Sequence, residues 1–253
     1  MSGHSKWANI KHKKAASDKK KGRIFSRLAK EIMLAVRNGG TDANANTRLR
    51  TALTAARTSN MPKDNVERAI KKGSGEMEGV NFEEITYEGY GAGGVAILVE
   101  CMTDNRNRTA GEIRMLFDRG GGALAGSGAV SWQFKRKAHV VVTGENADEN
   151  KLMDIVLDAG ADDIQVDGDI AEIWGAPDAL EGITKALENA KIPFSEAGVV
   201  QRPDNVVAVK DVHVAQQVMR LVEKLEDHDD IQSVHSNLEV AEEIAGELEK
   251  LMG

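Results

Sequence analysis

The residues most able to do chemistry form a cluster of cations at the N-terminus. Residues 1–30 carry ten Lys/Arg side chains against one acid, Asp18. Each cation held near a phosphate releases condensed counterions, so such a segment binds polyanions in a salt-dependent way. Trp7 adds a ring on which an unpaired base can stack. The predicted nucleic-acid-binding residues are Lys6, Trp7, Lys11, His12, Lys13, Lys14, Lys19, Lys20, Lys21, Arg23, Arg27 and Lys30.

A second interpretation of this segment stays open, in which Trp7 and Ile10 pack on a helical bundle and the lysines form its solvated face. The charge distribution favours the first interpretation. Residues 1–79 carry a net charge of +11 and the remaining 174 carry −18, although the whole chain sums to only −7. This asymmetry is typical of a polyanion-binding arm on an acidic body.

The polar run Asp104–Arg108 is a second candidate for binding nucleic acid, through Arg106 and Arg108. Two arginines in a loop can clamp a phosphate backbone. Asp, Asn and Thr also favour helix caps, so capping of a helix that begins near Thr109, with local ion pairs, explains the run equally well.

Two glycine-rich runs resemble nucleotide-binding loops without the context those loops require. Gly89–Gly94 matches GxGxxG, but a β-branched run follows it where a dinucleotide site needs a helix, so a hairpin turn is predicted. Gly120–Gly128 has no lysine after its glycines and also leads into a strand. A helix-to-strand connection is favoured there over a phosphate cradle.

The remaining reactive side chains show no recognisable catalytic or metal-binding spacing. The six histidines are scattered, and Cys101 stands alone in an apolar run. His228, Asp229 and Asp230 are adjacent, but Glu226 and Asp227 precede them, so a solvated turn is predicted. A triad assembled in three dimensions remains open. We expect no enzyme activity, no cofactor and no metal.

The elements that would position these residues fall into separate domains. Helical periodicity and glycine or proline boundaries predict three helices in a basic domain over 1–79. Residues 138–201 read as β-α-β-β-α-β, the ferredoxin-like order. They are predicted to be inserted in a second ferredoxin-like α/β domain made of 82–135 and 204–240, in which Ala129–Phe134 and Val206–Val209 are strands of the sheet. Residues 241–253 are predicted to form an acidic helix. The fold class is therefore α+β and multidomain.

Several motifs resemble those of the YebC/PmpR family along the whole chain. They are the opening Ser2–Lys14, the run Lys21–Ser26, and the internal landmarks Tyr87–Gly91, Thr103–Thr109 and Gly128–Trp132. The resemblance implies a helical N-terminal domain, two α/β domains and no cofactor. It also implies a transcriptional regulator that binds DNA. Relatives include a mitochondrial translational activator of cytochrome c oxidase subunit I, and other members are linked to stalled ribosomes.

Three functions therefore remain open: a DNA-binding transcriptional regulator, a translation factor associated with ribosomal RNA or the ribosome, and a small-ligand sensor. The first helices lack an evident base-reading helix, which disfavours sequence-specific DNA recognition. The sensor lacks a pocket signature, and we expect no small-molecule substrate. With no apolar run long enough for a membrane span and no secretory leader, a cytoplasmic protein without a membrane partner is expected.

Overall fold

A computed structural model describes residues 18–252, with side chains described from Lys21 onward. The first part is a bundle of three helices: α1 (Asp18–Gly39), α2 (Thr47–Thr58) and α3 (Lys63–Ser74). Their apolar faces meet in one core that contains Ile32, Leu49 and Ala69. Asn46 caps α2 by accepting from the Leu49 N–H, and its amide donates to the Ala35 and Gly40 carbonyls. The predicted three-helix domain is confirmed.

A four-stranded antiparallel sheet follows, in the order β3-β1-β2-β9. Its strands are β1 (Glu83–Tyr90), β2 (Ala96–Thr103), β3 (Ala123–Ala125) and β9 (Ile231–Ser236). The pairing of β2 with β9 joins parts of the chain that are far apart in sequence, as the predicted insertion requires.

Helices α4 (Arg106–Arg119) and α7 (Val212–Glu226) bury their apolar sides against this sheet. β8 (Val207–Val209) pairs in parallel with β10 (Leu238–Val240), and α8 (Glu242–Met252) adds Leu248 and Met252 to the same core.

The inserted segment forms a second four-stranded sheet, in the order β5-β6-β4-β7. The order along the chain is β4 (Phe134–Thr143), α5 (Glu149–Val156), β5 (Ala161–Asp167), β6 (Ile170–Gly175), α6 (Leu180–Asn189) and β7 (Glu196–Pro203). The helices cover one face, where Val140, Leu152 and Ile183 are fully buried. This strand order is that of the split βαβ plan, so the ferredoxin-like prediction and the α+β fold class are confirmed.

Two local expectations are wrong. Ala129–Phe134 does not form a strand, because only Phe134 belongs to β4 and Ser131–Gln133 is a 3₁₀ turn. The physical reason is that the carboxylate of Glu88 accepts the Val130 and Ser131 N–H groups, which a strand would give to its ladder. In addition, β8 does not join the β3-β1-β2-β9 sheet. The Gly89–Gly94 run does form the predicted β1–β2 hairpin turn.

Within residues 18–252, no helix is both long and apolar enough to cross a bilayer.

Candidate nucleic-acid interface

The predicted binding residues fall partly outside the described chain. Lys6, Trp7, Lys11, His12, Lys13 and Lys14 lie outside the described residues. Lys19 and Lys20 lie in the first turn of α1, with side chains that are not described, while Lys21, Arg23, Arg27 and Lys30 follow along the same helix. Six of the twelve predicted residues are thus brought onto one element.

Helix α1 is amphipathic, with its cations opposite its apolar side. Phe25, Leu28 and Ile32 belong to the bundle core and recur at helical spacing. Positions 23, 27, 30 and 37 recur at steps of four, three and seven residues, so they share the other face. With a rise of 1.5 Å per residue, this basic stripe runs for about 21 Å. The basic stripe is interrupted once. At the helical position between Lys30 and Arg37 the same face carries Leu34, which is only 7% exposed.

One acid of α1 is paired with a base on the neighbouring helix. Residues 18–80 carry fourteen basic and seven acidic side chains. Arg48 of α2 donates two hydrogen bonds to Glu31, from Nε to Oε1 at 2.7 Å and from Nη2 to Oε2 at 3.0 Å. A bidentate pair of this kind neutralises a carboxylate efficiently. Glu31 therefore offsets little of the positive charge of α1.

Arg37 belongs to the basic stripe although the sequence prediction stopped at residue 30. The signal was present, because Arg37 follows Lys30 by seven residues, two turns of a helix. Arg57, Arg68 and Lys71 are further exposed cations of the same domain that the prediction did not include.

The second candidate loop is organised around buried Asp230. Arg108 donates from Nη2 to Asp104 Oδ1 at 2.9 Å and to Asp230 Oδ2 at 2.8 Å. These bonds, with Asp230 contributing most, raise the pKa of Arg108 above its ordinary value. Arg106 is exposed at the start of α4. Asn105 caps that helix by accepting the Arg108 N–H, so the loop has the geometry of the capping alternative, and nucleic-acid contact by Arg106 and Arg108 stays a prediction.

Asp230 also corrects the prediction of a solvated turn at residues 228–230. It is 6% exposed, and its Oδ2 accepts from the hydroxyls of Thr103 and Thr109 as well as from Arg108. Sequence reasoning missed it because these partners lie more than a hundred residues away. Asp230 therefore ties the start of β9 to the start of α4.

Donor atoms of Glu112, His228 and Asp230 lie within 4.8 Å of one another, a grouping that could hold a metal ion. The hydrogen bonds argue against it. The Asp230 N–H donates to His228 Nδ1 at 3.1 Å, so in neutral His228 the proton is on Nε2, 2.8 Å from Glu112 Oε2. A protonated Nε2 has no lone pair for a metal. We therefore assign this cluster to the internal bonding of the domain.

A second polar cluster brings Ser233, His235 and Glu100 together on neighbouring strands. Ser233 Oγ and Glu100 Oε2 lie 3.0 and 3.2 Å from the same nitrogen, His235 Nε2. A catalytic triad needs the hydroxyl and the carboxylate on opposite ring nitrogens, so this geometry does not form a proton relay. Burial raises the pKa of Glu100, but His235, Ser233 and Gln201 outweigh it and hold that pKa at about 2.

The turn that begins at Gly128, at the end of the Gly120–Gly128 run, gathers backbone amides around an anion, but the anion is internal. Glu88, 4% exposed, accepts the N–H groups of Gly128, Val130 and Ser131 at 2.7, 2.7 and 2.8 Å. Burial raises the pKa of Glu88, yet these three bonds lower it below its ordinary value. The cradle that the glycines suggested is therefore occupied by a side chain of the protein.

Fold and charge together define a class: multidomain α+β proteins in which a basic helical bundle precedes two acidic α/β domains. Family models describe residues 5–76 as the TACO1/YebC protein N-terminal domain and residues 82–238 as the TACO1/YebC second and third domain. The chain belongs to the TACO1/YebC family.

Full-length relatives carry a common description. The chain is 50% identical over 247 residues to a protein of Desulfatibacillum aliphaticivorans, covering 98% of this chain and all of that one. It is 48% identical over 252 residues to a protein of Geobacter sulfurreducens, covering both fully. Both are named "probable transcriptional regulatory protein".

A solved structure has the same fold. The crystal structure of a conserved hypothetical protein from Aquifex aeolicus matches with a TM-score of 0.84 and 44% identity, covering 94% of this chain and 98% of that one.

Proposed function

We propose that this chain is a nucleic-acid-binding regulator of gene expression, acting as a DNA-binding transcriptional regulator. The observation that carries the proposal is the basic stripe of α1, which continues the cationic run of residues 1–17. The names of the full-length relatives support the same function.

The binding mode follows from the kind of side chain involved. Lysines and arginines contact phosphates, which position a protein on nucleic acid without reading its bases. The other domains carry a net charge of −18 over residues 80–253 and repel a polyanion, which favours contact through the basic domain. The expected complex is therefore tight at low salt and weakly selective for sequence.

A charge-reversal variant tests the cationic run that leads into the basic stripe. It replaces the cations of the N-terminal run with glutamate, at Lys11, Lys13, Lys14, Lys19, Lys20 and Lys21. Glutamates suit the first turn of α1, because a helix N-terminus attracts negative charge, so the helix is expected to form. Affinity for a 20-base-pair duplex, measured by fluorescence anisotropy, should fall by at least about a hundredfold.

The matched control makes the same charge change elsewhere. It replaces six exposed cations of the acidic domains with glutamate, at Lys151, Lys191, Lys210, Arg220, Lys224 and Lys250. The control should lose much less affinity than the test variant. Equal losses would mean that net charge, and not the basic domain, governs binding.

Crosslinking in cells separates transcription from translation. The tagged chain is crosslinked genome-wide, and the same lysate is sedimented through a sucrose gradient. Recovery of promoter DNA supports the proposal. Recovery confined to ribosomal fractions, with no enrichment of promoter DNA, would replace it with the translation-factor function.

A further inference from the structure

An exposed tryptophan stands on the surface between β3 and β4. Trp132 lies in the Ser131–Gln133 turn and is 68% exposed, the largest exposed fraction among the large hydrophobic side chains of the described chain. An isolated exposed apolar side chain needs no explanation by itself. Trp132 differs because its neighbours hold it in one arrangement.

Two aromatic side chains are anchored at a single carbonyl. Trp132 Nε1 donates to the Ala129 oxygen at 3.1 Å, and the Tyr90 hydroxyl donates to the same oxygen at 3.0 Å. Tyr90 is itself 39% exposed. Because both polar atoms are engaged by the protein, the exposed parts of the rings offer aromatic surface to a partner.

The segment that carries Trp132 is fixed by hydrogen bonds to three other parts of the chain. Glu88 accepts its three amides, and the Asn237 amide donates to the Gln133 side chain at 2.9 Å. The Asp204 N–H donates to the Gln133 carbonyl at 2.7 Å. A surface fixed in advance loses little entropy on binding, which is the property of a recognition site.

Charge indicates the kind of partner. Residues 81–135 and 201–252 form one compact unit, and they carry ten basic and nineteen acidic side chains. The Glu88 carboxylate, which accepts the N–H of the residue next to Trp132, adds a buried negative charge to this loop. A guanidinium group stacks on indole, and the net negative charge of the unit attracts it. A nucleobase stacks as well but brings a phosphate that the acidic unit repels.

We propose that Trp132 and Tyr90 form a docking surface for an arginine-bearing segment of a partner protein. This surface is distinct from the basic stripe and does not depend on the proposed binding of nucleic acid.

Isothermal titration calorimetry on the full-length protein tests the docking surface. The probes are a nine-residue peptide with three arginines separated by serines, its lysine counterpart, and a nine-nucleotide oligothymidylate. Trp132→Ala should weaken the arginine peptide about five-fold or more. The lysine peptide should bind more weakly than the arginine peptide and depend less on Trp132.

Leu157→Ala is the control, because Leu157 is 57% exposed in the inserted domain, and it should leave peptide affinity unchanged. Thermal unfolding of Trp132→Ala should match the unmodified protein, since the ring is mostly in solvent. Trp132→Phe, which keeps an aromatic face, should recover part of the lost affinity. Equal arginine-peptide affinity in the Trp132→Ala protein, or a loss confined to oligothymidylate, would overturn the proposal.

Discussion

At the scale of single residues, three carboxylates of the β3-β1-β2-β9 domain accept hydrogen bonds from donors within the protein. Glu88 fills a cradle of three backbone amides, Asp230 joins α4 to β9, and Glu100 binds Ser233 and His235. Each accepts several donors, and such multiply bonded carboxylates specify one arrangement of the chain. These three residues therefore bear on stability more directly than on binding.

Replacing Glu88 with glutamine should destabilise the protein by about 1–3 kcal/mol, because a neutral amide has one acceptor oxygen where three N–H groups need partners. Urea unfolding at neutral pH measures the loss. Glu83→Gln, an exposed change on the same strand, should cost little. If both variants unfold at the same urea concentration, Glu88 does not hold the loop.

Glu100 should make stability depend on pH in acid. Its pKa is lowered from 4.5 to about 2 in the folded protein. A carboxyl with a depressed folded pKa stabilises the fold above its unfolded pKa, and this contribution is lost as the pH falls through the folded pKa. We expect about 1–2 kcal/mol at neutral pH, discounted because 39% of the side chain is exposed.

The check compares Glu100→Gln with the unmodified protein by urea unfolding at pH 7 and at pH 3. The difference between them should shrink at pH 3. Glu247→Gln, an exposed change in α8, should show no such pH-dependent difference. A Glu100→Gln penalty that is the same at both pH values would contradict the assignment.

The sequence alone suggested a binding role for the N-terminal cations, but it did not show that acids such as Asp230 are buried. The N-terminal cations are adjacent in the chain, so composition reveals them. Asp230 looked solvated because Glu226 and Asp227 precede it, while its partners Thr103 and Thr109 are distant in sequence. Contacts of this range depend on the completed sheet and leave no local pattern.

At the scale of elements, close packing of α1 on α3 holds the basic stripe on a rigid support. Gly73 permits this approach, because a Cβ there would lie 2.6 Å from the Met33 carbonyl oxygen and 2.9 Å from Val36 Cβ. Met33 and Val36 belong to α1. The position of α1 in the bundle therefore depends on a glycine in its neighbour.

Gly73→Ala should destabilise the helical domain by about 1–3 kcal/mol, because overpacking forces backbone to move. Gly111→Ala in α4 is the matched control: a Cβ there has no neighbour within 4 Å, and alanine favours helix by about 0.5–1 kcal/mol. Thermal unfolding by circular dichroism measures both. A stabilising Gly73→Ala would show that α1 and α3 pack less closely than described.

Helices and strands were predicted correctly where the local sequence pattern agreed with how the segment packs in the fold. The Gly89–Gly94 hairpin and the βαββαβ order of the inserted domain follow from periodicity and glycine position. The strand prediction for Ala129–Phe134 failed although Val130 and Phe134 join Ala96 and Leu98 in a small core, because Trp132 between them is exposed. The Glu88 bonds that form this turn are invisible in the sequence.

At the scale of the whole molecule, we propose that residues 138–201 are inserted in the domain made of 82–135 and 204–240. The points of entry and exit lie close together, since Gln133 and Asp204 share a backbone hydrogen bond and Lys135 pairs with Asp204 at 2.8 Å. A short linker can span that gap.

Replacing residues 136–202 with Gly-Ser-Gly should leave a protein that unfolds in a cooperative transition and still binds nucleic acid through its basic domain. Urea unfolding followed by circular dichroism, together with anisotropy on the same duplex, measures both properties. A shortened chain with no cooperative transition would mean that the insertion is part of its host's core.

The salt dependence of nucleic-acid binding by the unmodified protein tests most directly whether the basic domain contacts phosphates. With about six phosphate contacts, the plot of log affinity against log salt should have a slope of about −4 to −5. The charge-reversal variant of the basic domain should give a much shallower slope, and the six-cation control a nearly unchanged one. A slope near zero for the unmodified protein, or the same steep slope in the charge-reversal variant, would contradict the claim that the basic domain grips phosphate.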